Sequence, residues 1–361
     1  MAECESTSPP LLVRACRCEP VPRCPVWIMR QAGRFLPEYQ AVRARHGFVE
    51  VCMTPDLAAE VTLQPVRRLD VDAAIIFHDI LLLLRPMGAG FDFTDKPVLD
   101  RPIRTREQIA AIHPPQSQQP FAYLHEALRR TREQLPPEKA LIGFAGAPFT
   151  LANYLIEGGG SHDSLETKKL LMTQPDLLQS LLRTLTEATI EFLIGQINAG
   201  AQVLQIFESS GGLLGPDDYA EFALPHVKRI IASLKPFNIP IILFPRGCGA
   251  YLELFADCGA HVIGIDWQTP LRTARGRLAE KTAIQGNIDP VALLGPRQLI
   301  EGKVAQIIDE MDNLRGFIFN LGHGILPSTP PENALIYVQA AKSLSERQIA
   351  RRMAPPRQDE P

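Results

Sequence analysis

The stretch from Leu177 to Glu208, LLQSLLRTLTEATIEFLIGQINAGAQVLQIFE, contains the pattern that decides the fold class. Apolar residues recur close to every 3.6 positions from Leu177 to Ala199, which indicates an amphipathic helix. Gly200 then stops the helix, and the largely apolar run that follows predicts a strand buried on both faces. A helix that leads through a glycine into a buried strand is typical of a parallel βαβ unit.

The same alternation of strand-like runs and helix-like segments continues along the chain. Eight such units predict a closed (β/α)₈ barrel, and a chain of 361 residues suits one. An open doubly wound sheet is the competing architecture, but no GxGxxG motif follows the first run, which weakens its dinucleotide-binding version. The eight predicted strands are Val26–Met29, Asp72–Phe77, Ala140–Ala145, Gln202–Phe207, Ile239–Phe244, Val262–Asp266, Thr282–Gln285 and Gly316–Leu321.

The barrel is predicted to be one catalytic domain over residues 21–353, since no Gly/Ser linker or internal repeat divides it. Residues 1–20 are expected to form a loosely ordered arm, and the proline-rich residues 354–361 a flexible tail. The net charge of −3 gives no support for nucleic acid or an anionic membrane as partner. Seven cysteines, an odd number with no secretory signal before them, indicate a soluble protein of the reducing cytoplasm.

Polar side chains follow the predicted strands at their carboxyl ends, where barrel enzymes carry their active sites. Arg30 and Arg34 come directly after the first run, four residues apart around Gly33. Two permanently charged guanidinium groups at a barrel mouth fit a carboxylate or phosphate ligand. A pair of surface ion-pair partners is the alternative, but the position after a buried strand favours ligand binding.

Three further side chains at strand ends have two interpretations each. Asp79 follows an apolar run, and a carboxylate there either pairs with a structural partner or accepts N–H groups and positive charge from a ligand. A lone histidine such as His323 is usually structural, and the glycines on both sides of it make ligand contact the second interpretation. Tyr154 either points inward as a hydrogen-bond donor or packs in the core.

The segment Pro25–Tyr39, PVWIMRQAGRFLPEY, closely resembles the amino-terminal signature of uroporphyrinogen decarboxylases. Gly143–Thr150, GFAGAPFT, is similar to a second signature of that family and leads to Tyr154. The resemblance extends from about Leu12 to Leu344, and the combination of motifs is highly specific. Shorter matches follow in the family's order: Leu63-Gln64-Pro65, Phe207-Glu208-Ser209, Gln285–Pro290 and Asn320–Ile325.

The resemblance implies a homodimeric barrel of haem biosynthesis that decarboxylates the four acetate side chains of uroporphyrinogen III, giving coproporphyrinogen III without a cofactor or metal. It implies that Asp79 accepts hydrogen bonds from the pyrrole N–H groups at the macrocycle centre. Arg30 is expected to orient the leaving carboxylate. The residues expected to bind substrate are Arg30, Gln31, Arg34, Asp79, Tyr154, Ser209 and His323, of which Asp79, Arg30 and Tyr154 are the catalytic candidates.

Three features depart from the family pattern, and two other functions compete with the main one. The stretch Phe93–Asp100 lacks a glycine-proline turn that many relatives carry. His78 stands before Asp79 where the family usually has a serine, and Arg246 replaces a frequent lysine. A zinc-dependent corrinoid or thiol methyltransferase would share the barrel, but such enzymes resemble one another in a His-x-Cys after the fifth strand, where this chain has Arg246. A tetrapyrrole-binding protein without activity is the second competitor, and no missing motif supports it.

Overall fold

A computed structural model describes residues 8–93, 96–311 and 313–354 of the chain. Within these ranges, seven parallel strands form one sheet in which each strand pairs with its neighbours in chain order. The register is regular; in the pairing of the second and third strands, for example, Ile142 lies opposite Val203. The strands are β1 (Ala73–Ile75), β2 (Ala140–Gly146), β3 (Val203–Glu208), β4 (Ile241–Pro245), β5 (Val262–Gly264), β6 (Ala283–Ile288) and β7 (Phe317–Leu321).

The first predicted strand, Val26–Met29, is present as a single bridge that closes the sheet into a barrel. Val26 forms a parallel bridge with Phe319 of β7. On its other side the Val26 carbonyl accepts a hydrogen bond of 2.8 Å from the N–H of Asp72, the residue before β1. The fold is therefore the predicted single-domain (β/α)₈ barrel, with a first strand shorter than the prediction.

Helices surround this barrel and connect its strands. The long helices α9 and α14 are amphipathic, and residues such as Leu178 and Tyr337 on their inner faces are fully buried. The α-helices are α1 (Leu11–Cys16), α2 (Pro37–Arg43), α3 (Phe48–Met53), α4 (Pro55–Leu69), α5 (Arg106–Ala110), α6 (Ala122–Gln134), α7 (Pro148–Glu157), α8 (Leu165–Thr173), α9 (Pro175–Asn198), α10 (Pro216–Asp218), α11 (Leu224–Leu234), α12 (Leu271–Arg277), α13 (Arg297–Met311) and α14 (Pro331–Met353).

The amino-terminal segment differs from the loose arm expected over residues 1–20. Leu11–Cys16 forms helix α1, and Leu12 and Ala15 on it are fully buried. The expectation is wrong for this helix because its apolar side chains pack in the core against the barrel. The local sequence, with prolines before the helix, does not show this packing. Residues 1–7 and the part of the predicted tail at 355–361 lie outside the described residues, and the domain division stays a prediction.

A chain of buried polar side chains crosses the barrel interior. The indole N–H of Trp27 donates to Gln285 Oε1 at 2.9 Å, and Gln285 Nε2 donates to Gln205 Oε1 at 3.2 Å. All three residues are essentially inaccessible to solvent. Because polar groups buried in this way are stable only when hydrogen-bonded, the chain favours one packing of the strands around it. Among the described residues, no helix is both long and apolar enough to cross a membrane.

Candidate active site

The loop that carries Arg30 is held against the carboxyl end of β7. The Met29 N–H donates to Asn320 Oδ1 at 2.9 Å, and the Met29 carbonyl accepts from the Ile325 N–H at 2.9 Å. Arg30 itself has a φ of +63°, an uncommon conformation for a residue with a side chain. A Cβ on Gly324 would overlap the side-chain stem of Arg30, so this glycine leaves the space that the arginine occupies. Arg30 is exposed at the barrel mouth.

Gln31, which was expected to bind substrate, lies inside the protein beside the Arg30 loop. Its side chain is fully buried, and its Oε1 accepts from the Ile28 N–H at 2.9 Å. Its Nε2 donates to the carbonyl of Ala73 in β1, also at 2.9 Å. Both ends of the amide are engaged by the backbone, so the side chain fixes the Arg30 loop on the barrel, and its contact with substrate stays a prediction.

Asp79 lies at the carboxyl end of β1 and caps the short 3₁₀ helix Ile80–Leu83. Its Oδ1 accepts a hydrogen bond of 2.9 Å from the Leu81 N–H, and the side chain is half-buried. Burial raises the pKa of Asp79, while the Leu81 N–H and the positive charge of Arg30 oppose the rise. No ion pair joins Asp79 to an arginine within the described part of the chain, so the carboxylate keeps capacity for a ligand.

His78, the residue before Asp79, is held in an aromatic cluster. Its Nε2 lies 3.0 Å from the hydroxyl of Tyr123, and the two rings stack at 5.9 Å between centroids. Phe144 and Phe192 contact the same imidazole. Burial lowers the pKa of His78 to about 3, so the ring is neutral in the range where proteins function and brings no charge to Asp79.

Tyr154 and His323 lie on the same mouth as Arg30. Burial raises the pKa of Tyr154, and the negative charge of Asp79 raises it further, whereas Arg30 and Arg246 oppose the rise. Burial lowers the pKa of His323 to about 4, and the charges of Arg30 and Arg246 lower it in the same direction. The His323 ring meets Trp267 edge-on, with centroids 6.1 Å apart. Each of these side chains changes the pKa of another or has its own pKa changed, so Arg30, Asp79, Tyr154 and His323 lie near one another.

Ser209 follows β3 on a turn that a buried carboxyl group organises. Glu208 is fully buried and accepts a hydrogen bond from the Thr150 hydroxyl in the first turn of α7. The Thr150 hydroxyl in turn accepts from the Ser210 N–H at 3.1 Å. Burial raises the pKa of Glu208 to about 7. Ser209 is half-buried at the strand end, while Glu208 below it was not among the sequence candidates, although its position after a buried strand was visible.

Three arginines of this end of the barrel have unoccupied guanidinium groups. Within the described ranges, the side chains of Arg30, Arg34 and Arg246 form no hydrogen bond or ion pair. Many other arginines are paired. Arg23, for example, donates hydrogen bonds from both terminal nitrogens to the carboxylate of Asp72. Arg34 is exposed, and its charge acts on Tyr39 rather than on Asp79. Arg246 follows β4 and was not counted among the site residues in the sequence.

Within the described residues, no group of three or more His, Cys, Asp or Glu side chains has the arrangement of a metal site. At the position where the methyltransferase reading needs ligands, Cys248 is buried, and burial raises the pKa of its thiol. A recess of about 580 Å³ lies away from this site, at the amino-terminal ends of β3 and β4, and is lined by Arg17 and Arg132. None of the candidate residues lines that recess.

Comparison with known proteins gives one family. Residues 7–344 match the family model described as uroporphyrinogen decarboxylase. The uroporphyrinogen decarboxylase of Pelobacter propionicus is 47% identical over 331 residues, which cover 92% of this chain and 97% of that protein. The Geobacter sulfurreducens enzyme of the same name is 45% identical over 333 residues, covering 92% and 98%.

Two solved structures are similar in fold at low sequence identity. A methyltransferase from Methanosarcina mazei superposes with a TM-score of 0.77 at 21% identity, covering 91% of this chain and 96% of that chain. A B12-independent methionine synthase from Shewanella gives a TM-score of 0.59 at 11% identity, covering 85% and 91%. At these identities the similarity concerns the barrel alone.

Proposed function

The chain belongs to the uroporphyrinogen decarboxylase family, and we propose that it removes CO₂ from the four acetate side chains of uroporphyrinogen III to give coproporphyrinogen III. The observation that carries the proposal is the position of Asp79. This half-buried carboxylate has no ion-pair partner among the described residues and lies at a barrel mouth whose guanidinium groups are also free. A carboxylate acceptor and free cations at one mouth suit a macrocycle with N–H groups inside and carboxylates outside.

Each step of the proposed reaction replaces one CO₂ by one proton. A proton adds to the pyrrole carbon next to the acetate-bearing one and makes the ring a cation. The bond between the methylene carbon and the carboxylate then breaks, CO₂ leaves, and the bonding electrons move into the ring. A proton adds to the exocyclic carbon to form a methyl group, and the ring loses the proton that it gained. The substrate thus supplies its own electron sink, and the reaction uses no cofactor.

Asp79 stabilises the charge that develops in this reaction. Its carboxylate accepts hydrogen bonds from the pyrrole N–H groups and faces the cationic ring through a partly dehydrated site, where such an interaction is strong. The Leu81 N–H fixes the direction of the carboxylate before substrate binds. Tyr154, whose pKa is raised by burial and by Asp79, keeps its proton and acts as a hydrogen-bond donor beside the ring.

Arg30, Arg34, Ser209 and His323 hold the carboxylate arms. Arg30 orients an acetate for loss. Its loop, fixed on β7, and its side chain, unpaired among the described residues, support this role. An arginine stays protonated in proteins, so its role is orientation and charge pairing. His323 is neutral above a pH of about 4 and donates or accepts a hydrogen bond without adding charge.

The test is anaerobic incubation with uroporphyrinogen III, followed by separation of the products by carboxylate number. We expect seven-, six- and five-carboxylate intermediates and a final four-carboxylate product. Persistence of the eight-carboxylate substrate would contradict the proposal. The zinc-dependent methyltransferase alternative predicts one zinc per chain and loss of activity in a chelator, whereas decarboxylation by this route is expected to continue after chelator treatment and dialysis.

We further propose that the enzyme is a cytoplasmic homodimer. The resemblance to the decarboxylase family supports both features, and the net charge of −3 agrees with a protein that binds a small molecule rather than nucleic acid or a membrane. Sedimentation equilibrium is expected to give twice the mass of the chain. A monomeric mass at micromolar concentration would contradict the proposed dimer. The proposed decarboxylase activity does not depend on that result.

A further inference from the structure

Arg246 lies across the barrel from Arg30. In the ring of eight strands, the bridge residue Val26 takes the first place and β4 the fifth, so the loops after them are on opposite sides of the mouth. Arg30 follows the first of these strands and Arg246 follows β4 directly. Both side chains are exposed. The mouth therefore has a free guanidinium group on each of two opposite sides.

The backbone of Arg246 is fixed although its side chain is free. Its N–H donates to the Glu208 carbonyl at 3.1 Å, and its carbonyl accepts from the Gly212 N–H at 3.0 Å. The next N–H, that of Gly247, donates to Asp266 Oδ2 at 2.6 Å. A Cβ on Gly212 would lie 2.6 Å from the Gly247 Cα, so glycine allows the loops after β3 and β4 to touch. This loop holds an arginine at a defined point and leaves its charge without a protein partner in the described structure.

The charge of Arg246 reaches the interior of the site. It lowers the pKa of His323, after β7, and that of Tyr154, on α7, as Arg30 does from the other side. Two groups of the site thus lie within the field of both arginines. A surface arginine pointing away into solvent would be screened and would affect neither.

We propose that Arg246 binds a carboxylate arm of the substrate on the side of the mouth opposite Arg30. The inference rests on the proposed function, because uroporphyrinogen carries eight carboxylates distributed around its whole rim. Cations on one side alone would leave the arms of the far side without a partner. A guanidinium group with both donor edges free binds such a carboxylate in bidentate fashion, so Arg246 is a specificity-determining residue for the number and placement of carboxylates.

The test compares Arg246→Gln and Arg246→Lys with wild type and with Arg347→Gln. Arg347 is an exposed arginine in the second half of α14 that controls for the loss of one positive charge. We expect Arg246→Gln to raise the KM for uroporphyrinogen about tenfold or more, with a smaller change in kcat, because hydrogen bonds to a charged group are lost. Arg246→Lys keeps the charge without the bidentate geometry and should recover part of the loss. Arg347→Gln should behave as wild type.

The outcomes separate this inference from the proposed function. If wild type leaves uroporphyrinogen unchanged, the proposed function fails before Arg246 is considered. If wild type is active and Arg246→Gln has the KM of wild type and of Arg347→Gln, the role of Arg246 is overturned. Thermal melting checks that the variants are folded. If Arg246→Gln is not folded, the test uses Arg246→Lys alone. For that variant, a raised KM at low salt supports the proposal and an unchanged KM overturns it.

Discussion

At the scale of single residues, Asp79 meets two opposing demands. Burial raises its pKa and so disfavours the ionised form, whereas the Leu81 N–H and Arg30 favour ionisation. The carboxylate that the proposed reaction needs is therefore less favourable to the fold than a neutral group of the same shape would be. Groups with this kind of conflict concentrate at functional sites, where stability is lost for the sake of chemistry.

Asp79→Asn separates the two demands. The asparagine Oδ1 can still accept from the Leu81 N–H, so the 3₁₀ helix after it should form as before. We expect kcat to fall about 100-fold or more, as when a group that stabilises transition-state charge is removed. The melting temperature should be equal or higher, because the ionised carboxylate is no longer buried. A variant with low activity and a clearly lower melting temperature would contradict this account of Asp79.

Glu208 gives a prediction with a defined pH dependence. Its pKa rises from 4.5 to about 7 on burial, so the folded state binds the proton more tightly than the unfolded state does. The stability of wild type should therefore fall as the pH rises from about 4.5, and the loss should be complete above about 7. Glu208→Gln removes this loss and keeps an acceptor for Thr150.

Chemical denaturation at several pH values tests this prediction. We expect the difference in the free energy of unfolding, Glu208→Gln minus wild type, to increase between pH 5 and pH 8 by up to roughly 3 kcal/mol. A difference between the two proteins that stays constant over this range would show that Glu208 does not change its ionisation there.

At the scale of elements, the reduced first strand has a clear physical cause. The N–H of Ile28 bonds to the side chain of Gln31, and the N–H of Met29 bonds to the side chain of Asn320. Side-chain amides thus take the place of the neighbouring strand, and the strand ends after its bridge at Val26. The apolar run Val26–Met29 correctly predicted a buried segment. It could not reveal that the side-chain amides of Gln31 and Asn320 would take the hydrogen bonds of a neighbouring strand.

The closure at this strand depends on Asp72. Its carboxylate accepts two hydrogen bonds of 2.7 Å from Arg23 and one of 2.8 Å from the Val26 N–H. Asp72→Asn is expected to lower the free energy of unfolding by roughly 2 to 4 kcal/mol, because it breaks a largely buried charge pair and weakens the bridge.

The matched control is Glu60→Gln, which removes the exposed pair with Arg67 on the surface of α4. We expect this variant to lose less than about 1 kcal/mol in the same urea titrations. Equal losses in the two variants would mean that Asp72 contributes only as an ordinary ion pair and that barrel closure does not depend on it.

At the scale of the whole molecule, the sequence predicted the buried strands but not which arginines would lack an ion-pair partner. The seven strands from Ala73 to Leu321 fall inside or within three residues of the predicted runs, because continuous burial marks a parallel strand in any single sequence. The strand-end rule also placed Arg30, Asp79 and His323 at the mouth. The importance of Arg246 depends on which arginines find a carboxylate partner, and only three-dimensional placement decides that. Helix α1 was missed for the same reason, since its burial comes from distant partners.

The overall distribution of charge leads to a last prediction. The chain has a net charge of −3, yet three free guanidinium groups, those of Arg30, Arg34 and Arg246, lie at the carboxyl end of the barrel in the described structure. A positive mouth on a weakly negative protein attracts a substrate with eight carboxylates and orients it before contact. Because salt shortens the range of this field, kcat/KM should fall about tenfold or more between roughly 0.01 M and 0.5 M salt, while kcat changes little. Arg246→Gln should show a shallower dependence than wild type, and Arg347→Gln the same dependence. A kcat/KM that is independent of salt would mean that the mouth does not steer its substrate, even if each arginine still binds a carboxylate after contact.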